Sequence, residues 1–406
     1  MTRIIIVSIL SGLCFTLSAQ TLTIDSAVMI ALERHPSISA ASADIAKHKA
    51  LKRASFDLPK TEITLMRGQF NSILTDESIT IGQTIPFPLT IARQKKLATE
   101  MITSAQLREE VTENELAYRV RQTFNLLIYL EERRTILQRE DSLLKSSLRA
   151  TQLQYKTGEI PLITKTLAET QRMEIGNELE KNMNDIESAR TTLQLLCRID
   201  FTEIAGTLGD LIPDEPDTEE GQRNPLQRLT EQNIKVASQE RKLEASRALP
   251  ELNIAYFNQT LIGTQNVNGQ DVYFGSSKRF DGFQFGVSIP LWFVGNVNRV
   301  KAAKHTEETS RQEAEVGRLE IAEQLNTAQQ ELIKNRRSLV YYREHALPAA
   351  RLLREQTNSA FRNGEIDYHN LLLNLRQALA IDEGYLKAQY NYNENLITIR
   401  YLNGNK

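Results

Sequence analysis

Tyr155-Lys156-Thr157-Gly158-Glu159-Ile160 is answered 206 residues later by Phe361-Arg362-Asn363-Gly364-Glu365-Ile366. Each copy reads aromatic, basic, polar, Gly, Glu, Ile. The frame holds downstream, where Leu196 falls on Leu402. Upstream the echo continues at slightly different offsets. His35-Pro36 pairs with Asn224-Pro225, Leu58-Pro59 with Leu249-Pro250, and Ile85-Pro86-Phe87 with Ile289-Pro290-Leu291. A unit of this size is not a solenoid repeat, which runs about 20–50 residues. It implies one architecture built from two equivalent halves, over 20–203 and 225–406, joined at 204–224.

Composition narrows the function classes. The 406 residues are 25% charged with a formal net charge of −2, without the basic excess of a nucleic-acid binder. At the N-terminus, Arg3 precedes an apolar run from Ile4 to Leu17, and Ser18-Ala19-Gln20 offers a small-residue cleavage site, so residues 1–19 read as a signal peptide. Cys14 lies inside that run behind Leu13, a poor lipoprotein acceptor context, and no N-terminal lipid is expected. The mature chain then keeps one cysteine, Cys197, which rules out an internal disulfide. Beyond residue 19 no run of about 18 apolar residues occurs, so no transmembrane helix is expected. Entry into an outer membrane as β-strands remains open.

Each half reads as helix, β-hairpin, very long helix, turn, helix. Ala27, Ile30, Ala31, Ile38, Ala41 and Ile45 recur at helical spacing, with Pro36 splitting the pattern in two. Leu58-Pro59 ends it. A hairpin follows over about 61–87, with Ile79, Ile81 and Ile85 on one face of its second strand. The second half shows the pattern more cleanly over about 251–292. Phe283, Phe285, Val287, Ile289 and Leu291 alternate with Gln284, Gly286 and Ser288. Such strands fit a transmembrane barrel wall, and equally a solvent-facing sheet. The connection inside this hairpin carries Asn268-Gly269 and Gly275-Ser276-Ser277. At the closing end stand Phe87, Trp292 and Phe293, placed as a membrane-interface belt. They would also suit a packed strand–helix junction.

Long helices come next, over about 90–157 and about 297–362, the latter interrupted by Gly317 and Pro348. In the first, Leu116, Val120, Phe124 and Leu127 are spaced by fours and threes, and Leu137, Leu144 and Leu148 continue the stripe. About 65 residues at the helical rise make a rod on the order of 100 Å, which must pack against other long helices. Gly158 and Gly364 are helix stops. Pro161 suits the first turn of the next helix. Between the halves, Pro213, Pro216 and the acidic run Asp214 to Glu220 have no apolar period.

Four strands per chain cannot close a barrel, since the smallest closed membrane barrels have about eight. Open edges in hydrocarbon leave backbone groups unpaired at several kcal/mol each. If the hairpins are membrane strands, several chains share one barrel. Three chains give about twelve strands and a polar lumen, with the helices continuing it as a tube. The expected fold class is therefore mainly α with a small β part: a duplicated helix–β-hairpin–long helix–helix unit forming a trimeric α-helical barrel plus a shared transmembrane β-barrel.

This order resembles the outer membrane factors of the TolC family. The resemblance rests on Ala27-x3-Ala31-Leu32-x2-His35-Pro36-x-Ile38, the strand-to-helix passages at Pro86 and Pro290-Leu291-Trp292-Phe293, the turns Tyr155-x2-Gly158 and Phe361-x2-Gly364, and the closing Tyr390-x-Tyr392-x3-Leu396 before Leu402-Asn403-Gly404. It covers essentially the whole mature chain. The entry segment is most similar to the branch that includes the CzcC- and CusC-like cation-efflux ducts. The resemblance implies a homotrimer in the cell outer membrane, in contact with its lipids and extended into the periplasm. It would be the passive exit duct of a tripartite efflux system, served by a periplasmic adaptor and an inner-membrane transporter of the RND type. It places adaptor docking at a periplasmic tip made of Tyr155, Gly158, Glu159, Phe361, Gly364 and Glu365. Acidic constriction rings in this family lie six residues after the turn glycine. Here those positions hold Thr164 and Asn370, so a pore constriction there would be polar rather than an aspartate gate.

No constellation for chemistry stands out. No two of the five histidines, His35, His48, His305, His345 and His369, are three or four residues apart. There is no phosphate loop and no G-x-S-x-G. No enzyme activity, cofactor or metal site is expected. The alternatives are a duct for type I protein secretion and a soluble periplasmic coiled-coil scaffold, the latter opposed by the strands.

Overall fold

A computed structural model of the chain describes residues 21–211 and 224–405. Residues 1–19, expected to be a signal peptide, and most of the acidic connection, 212–223, lie outside the described residues. The chain folds into two compact units. One comprises Met1–Pro36, Glu113–Gln222 and Gln324–Lys406, the other Ser37–Thr112 and Arg223–Glu323.

In chain order the elements are α1 (Ile24–Arg34), α2 (Pro36–Arg53), β1 (Glu62–Gly68), β2 (Asp76–Ile85), α3 (Pro88–Lys156), α4 (Leu162–Cys197), α5 (Pro225–Ser246), β3 (Glu251–Thr260), β4 (Gly263–Val267), β5 (Gln270–Phe274), β6 (Arg279–Ser288), α6 (Val294–Tyr341), α7 (Leu347–Arg362) and α8 (Tyr368–Leu402). Thr23 caps α1 reciprocally with Ser26. His35 is extended because the proline ring after it disfavours helical geometry, and α2 starts afresh at Pro36.

The first unit is helical. The stripe on α3 is its core: Leu116, Val120, Phe124, Leu127, Leu137, Leu144 and Leu148 are all buried. A polar seam runs beside it. Asn125, fully buried, donates to Glu394 at 2.7 Å, Gln122 donates to the same carboxylate at 3.1 Å, and Asn393 donates to the Leu208 carbonyl at 3.0 Å. Burial pushes the Glu394 carboxyl above the usual range. Residues 204–211, part of the joining segment, are anchored to the unit at particular points. Leu208 is fully buried, its N–H donates to Glu132 at 2.8 Å, and Leu22 forms a parallel bridge with Ile204.

Three local readings are corrected. Gly317 does not interrupt α6, which runs unbroken to Tyr341. Pro161 is extended and caps α4 rather than lying within its first turn. Pro348 has its effect upstream of itself. A proline cannot donate to the carbonyl four residues back, and the helix answers with a π-turn over Tyr342–Ala346, in which the Leu347 N–H reaches the Tyr342 carbonyl. The bulge carries the Tyr342 ring against α8 at Gly384, where a Cβ would lie 2.5 Å from the hydroxyl.

The second unit holds α2, α5 and the four-stranded antiparallel sheet β1-β2-β3-β6. The sequence pattern predicts four strands, whereas the described residues form six. The connection between β3 and β6 folds back on itself as the hairpin β4–β5. Asn268 and Gly269, at φ +54° and +84°, form its turn.

Gly384→Ala should lower the unfolding midpoint, by about 1–3 kcal/mol of overpacking, although alanine by propensity alone would raise it by about 1 kcal/mol. A raised midpoint in a thermal melt would show that Tyr342 does not occupy that space. Cys197 is fully buried, and desolvation pushes its thiol up to about 11. A maleimide should therefore leave Cys197 unmodified in the native protein and label it in denaturant, as read by peptide mapping.

Candidate functional site

Two places carry the features that bear on function, one in each unit. In the first unit the helical pairs α3–α4 and α7–α8 end in two turns of the same geometry. In the first, Glu159 N–H donates to the Gln154 carbonyl at 2.9 Å and Gly158 N–H to that of Tyr155 at 3.1 Å. In the second, Glu365 N–H donates to Ala360 at 2.8 Å and Gly364 N–H to Phe361 at 3.1 Å. This is the Schellman closure, and it requires the left-handed backbone that Gly158 (φ +80°) and Gly364 (φ +76°) adopt. The equivalence extends to side chains. Thr157 donates to Glu159 at 2.8 Å, and Asn363 donates to Glu365 at 3.3 Å.

Both turns draw on one apolar cluster of Leu144, Leu148, Ala168, Ile175, Tyr368, Leu371, Leu372 and Leu375, against which Phe361 packs. The Phe361 and Tyr368 rings meet edge to face at 6.0 Å. Tyr155 stays on the surface with the Lys165 ammonium 5.3 Å from its ring centroid. Thr164 closes the first turn of α4 through its N–H to the Pro161 carbonyl, at 3.1 Å. Asn370 is exposed, and its N–H is capped by Asp367 at 2.8 Å. Leu162, Ile163 and Leu167 beside them are exposed as well.

Behind the turns, ion pairs tie α8 to its neighbours. Asp382 accepts from Arg139 of α3 at 2.8 Å and from Arg354 of α7, while Arg133 bridges Glu383 of α8 and Glu178 of α4. Sequence reasoning misses these partners, because residues 139 and 382 lie far apart in the chain and no local pattern joins them.

In the second unit, the strand register decides the chemistry of the sheet. Antiparallel partners share a face, so Ile63 with Ile81, Leu65 with Ile79, Ile81 with Tyr256, Gln83 with Ile254, and Ile254 with Phe285 build one surface. From the helix-attached end this surface is apolar apart from Gln83. At the far end it turns polar, with Asn258 and Asp281 and then Arg67, Glu77 and Arg279. Glu77 lies 3.7 Å from Arg67 and 3.9 Å from Arg279. Many of the apolar members are exposed: Leu65 at 74%, Phe283 at 70% and Phe285 at 76%. The opposite face carries Thr64, Thr80, Asn253, Gln284 and Ser288, with Gly82, Gly282 and Gly286 among them and Met66, Phe257 and Phe280 as its large apolar members. The Phe257 ring covers Gly282, where a Cβ would meet it at 2.8 Å. β1 and β6 are both edges. Phe87, Trp292 and Phe293 stand at the end of the sheet where the helices attach, all three exposed.

Among the described residues no group of three or more His, Cys, Asp or Glu side chains is placed to hold a metal ion, and no helix is long and apolar enough to cross a membrane.

No protein-family model matches the sequence, and no curated protein is similar to it in sequence. Its fold, however, is similar to that of solved channels. The outer-membrane channel OprN is 15% identical, with 94% of this chain and 90% of that chain covered and a TM-score of 0.76. CusC, whose structures describe transmembrane channel formation, is 13% identical, covering 94% and 92%, with a TM-score of 0.77. The Campylobacter jejuni CmeC outer membrane channel is 10% identical, covering 94% and 85%, with a TM-score of 0.75. At these identities the likeness establishes the fold of the single chain, mainly helical with a small sheet part, in agreement with that part of the expected fold class.

Proposed function

We propose that this chain is the outer-membrane duct of a tripartite efflux system. The observation that carries the reading is the sheet: one exposed, largely apolar face, an opposite face in which small and polar residues predominate, and two edges with no strand partner among the described residues. In water such a face is an aggregation hazard. In a bilayer the apolar face meets lipid and the polar face lines a lumen. The edges then need partners, because unpaired backbone groups in hydrocarbon cost several kcal/mol each. Three copies supply them, with β6 of one pairing β1 of the next in a barrel of about twelve strands. Phe87, Trp292 and Phe293 sit at the lipid–water interface on the periplasmic side. The long helices extend into the periplasm.

The protein works as a passive conduit, without a cofactor. An inner-membrane transporter of the RND type supplies energy, and a periplasmic adaptor docks on the two turns. The matched closures at Gly158 and Gly364, with Tyr155 exposed and Glu159 and Glu365 held in the same way, support a surface that one kind of partner grips twice. Thr164 and Asn370, one turn into the following helices, are the polar constriction. Cation efflux is the first cargo class to examine, given the likeness of the entry segment to the CzcC/CusC branch.

Detergent extraction of outer membranes should yield a particle of three chain masses after correction for bound detergent. A monomer in the soluble periplasm would sink the duct reading. Gly158→Val with Gly364→Val should leave the trimer intact and abolish export in a deletion strain challenged with copper, zinc, cobalt and a drug panel. Wild-type resistance in that strain would remove the turns from the docking site.

A further inference from the structure

The helix-attached end of the sheet carries a feature that neither pairing nor export uses. A cleft of about 880 Å³ opens between the end of α2 and the start of α3. Lys49, Lys52, Arg53 and Lys95 line it, with Phe56, Ile91 and Ile102 as its apolar part. None of the four cationic side chains forms an ion pair or side-chain hydrogen bond among the described residues. The two carboxylates of these helices that come before residue 101, Asp44 and Glu100, are engaged elsewhere. Asp44 is taken by Lys47 and Arg108, and Glu100 accepts from Gln232 at 2.7 Å. Asp57 is the single acid between Lys49 and Lys60.

Helix stability does not account for this set. Lys52 and Arg53 lie in the last turn of α2, where the macrodipole favours cations. Lys95 does not. The start of α3 favours anions, yet its first turn has no acid, and Arg93, Lys95 and Lys96 precede the first carboxylate at Glu100. Four unpaired cations gathered at an apolar floor call for an anion from outside the chain, carried on something greasy.

We propose that this cleft binds an anionic phospholipid of the periplasmic leaflet, the phosphate on Lys49, Lys52, Arg53 and Lys95 and the start of an acyl chain on Phe56, Ile91 and Ile102. The inference rests on the outer-membrane reading. It is consistent with position: α3 begins three residues after β2 ends, and Lys95 is seven residues along it, about 10 Å at the helical rise. The volume is within the range of small-molecule sites, about 300–1,000 Å³.

The test uses the full-length protein purified and delipidated in detergent, titrated with dioctanoyl phosphatidylglycerol and followed by native mass spectrometry. One saturable lipid per chain is expected, with dioctanoyl phosphatidylcholine binding far more weakly. Lys49→Gln/Lys52→Gln/Lys95→Gln should weaken it at least about tenfold, since three of the four cations facing the headgroup are removed and salt only partly screens each of them. The triple arginine variant should retain binding. Unchanged affinity in the glutamine variant would reduce the lipid to a non-specific annulus and overturn the proposal. So would displacement by an equal concentration of inorganic phosphate, or a Phe56→Cys cross-link showing a neighbouring copy filling the cleft. The two readings fail distinguishably: a membrane trimer indifferent to phosphatidylglycerol loses only the cleft, and a soluble monomer that binds it loses the duct and, with it, the leaflet as the source of the lipid.

Discussion

An exposed β-sheet with two open edges and an apolar face is the constraint around which this chain is arranged. Every strand residue offers a backbone donor and acceptor, and in hydrocarbon no water can satisfy them. Four strands satisfy only the inner ladders, β1–β2, β2–β3 and β3–β6. In the proposed barrel the outer edge of β6 takes β1 of the next copy, and that of β1 takes β6 of the copy before it. The side chains are graded for that placement. Isoleucine, leucine and valine lie on one side with Phe283 and Phe285, while threonine, serine and glycine predominate on the other, where Met66, Phe257 and Phe280 are its large apolar members. The apolar side carries no charge until its far end, where Asp281, Arg67, Glu77 and Arg279 gather.

The helical unit solves a different problem. A helix in a folded protein draws most of its stability from packing an apolar face rather than from propensity, so α3 needs partners along its length. The core stripe from Leu116 to Leu148 supplies apolar contact, but leucine against leucine slides easily in register. The polar seam at Asn125, Asn393 and Glu394 and the ionic node at Asp382 fix the register, because a one-turn shift would strand buried donors and a buried carboxylate. The π-turn before Pro348 belongs to the same logic. A proline that would break a long helix is absorbed as a bulge, and the bulge is accommodated only because residue 384 has no side chain.

The two glycine turns show how duplication is preserved where geometry demands it. The backbone bonds at Gly158 and Gly364 agree to within 0.1 Å, while the helices following them start differently, one after a bare Pro161 and the other under the Asp367 cap. The common element is therefore the shape of the turn rather than the chemistry of the helix start.

Much of this is legible in the sequence because its causes are local. The break at Pro36, the glycine stops, the buried stripe of α3 and the alternating face of β6 each follow from a residue and its near neighbours. The β4–β5 hairpin is legible too, through Asn268-Gly269 between short alternating runs, but a long loop is the simpler reading of that segment. Only the tertiary structure decided which residues meet across the chain: Arg139 and Arg354 on Asp382, Tyr342 on Gly384, Ile254 beside Phe285, and four unpaired cations around one cleft. These contacts depend on register and on the rotation of one helix against another. A single sequence specifies both through the sum of many weak contacts, so no short motif reveals them.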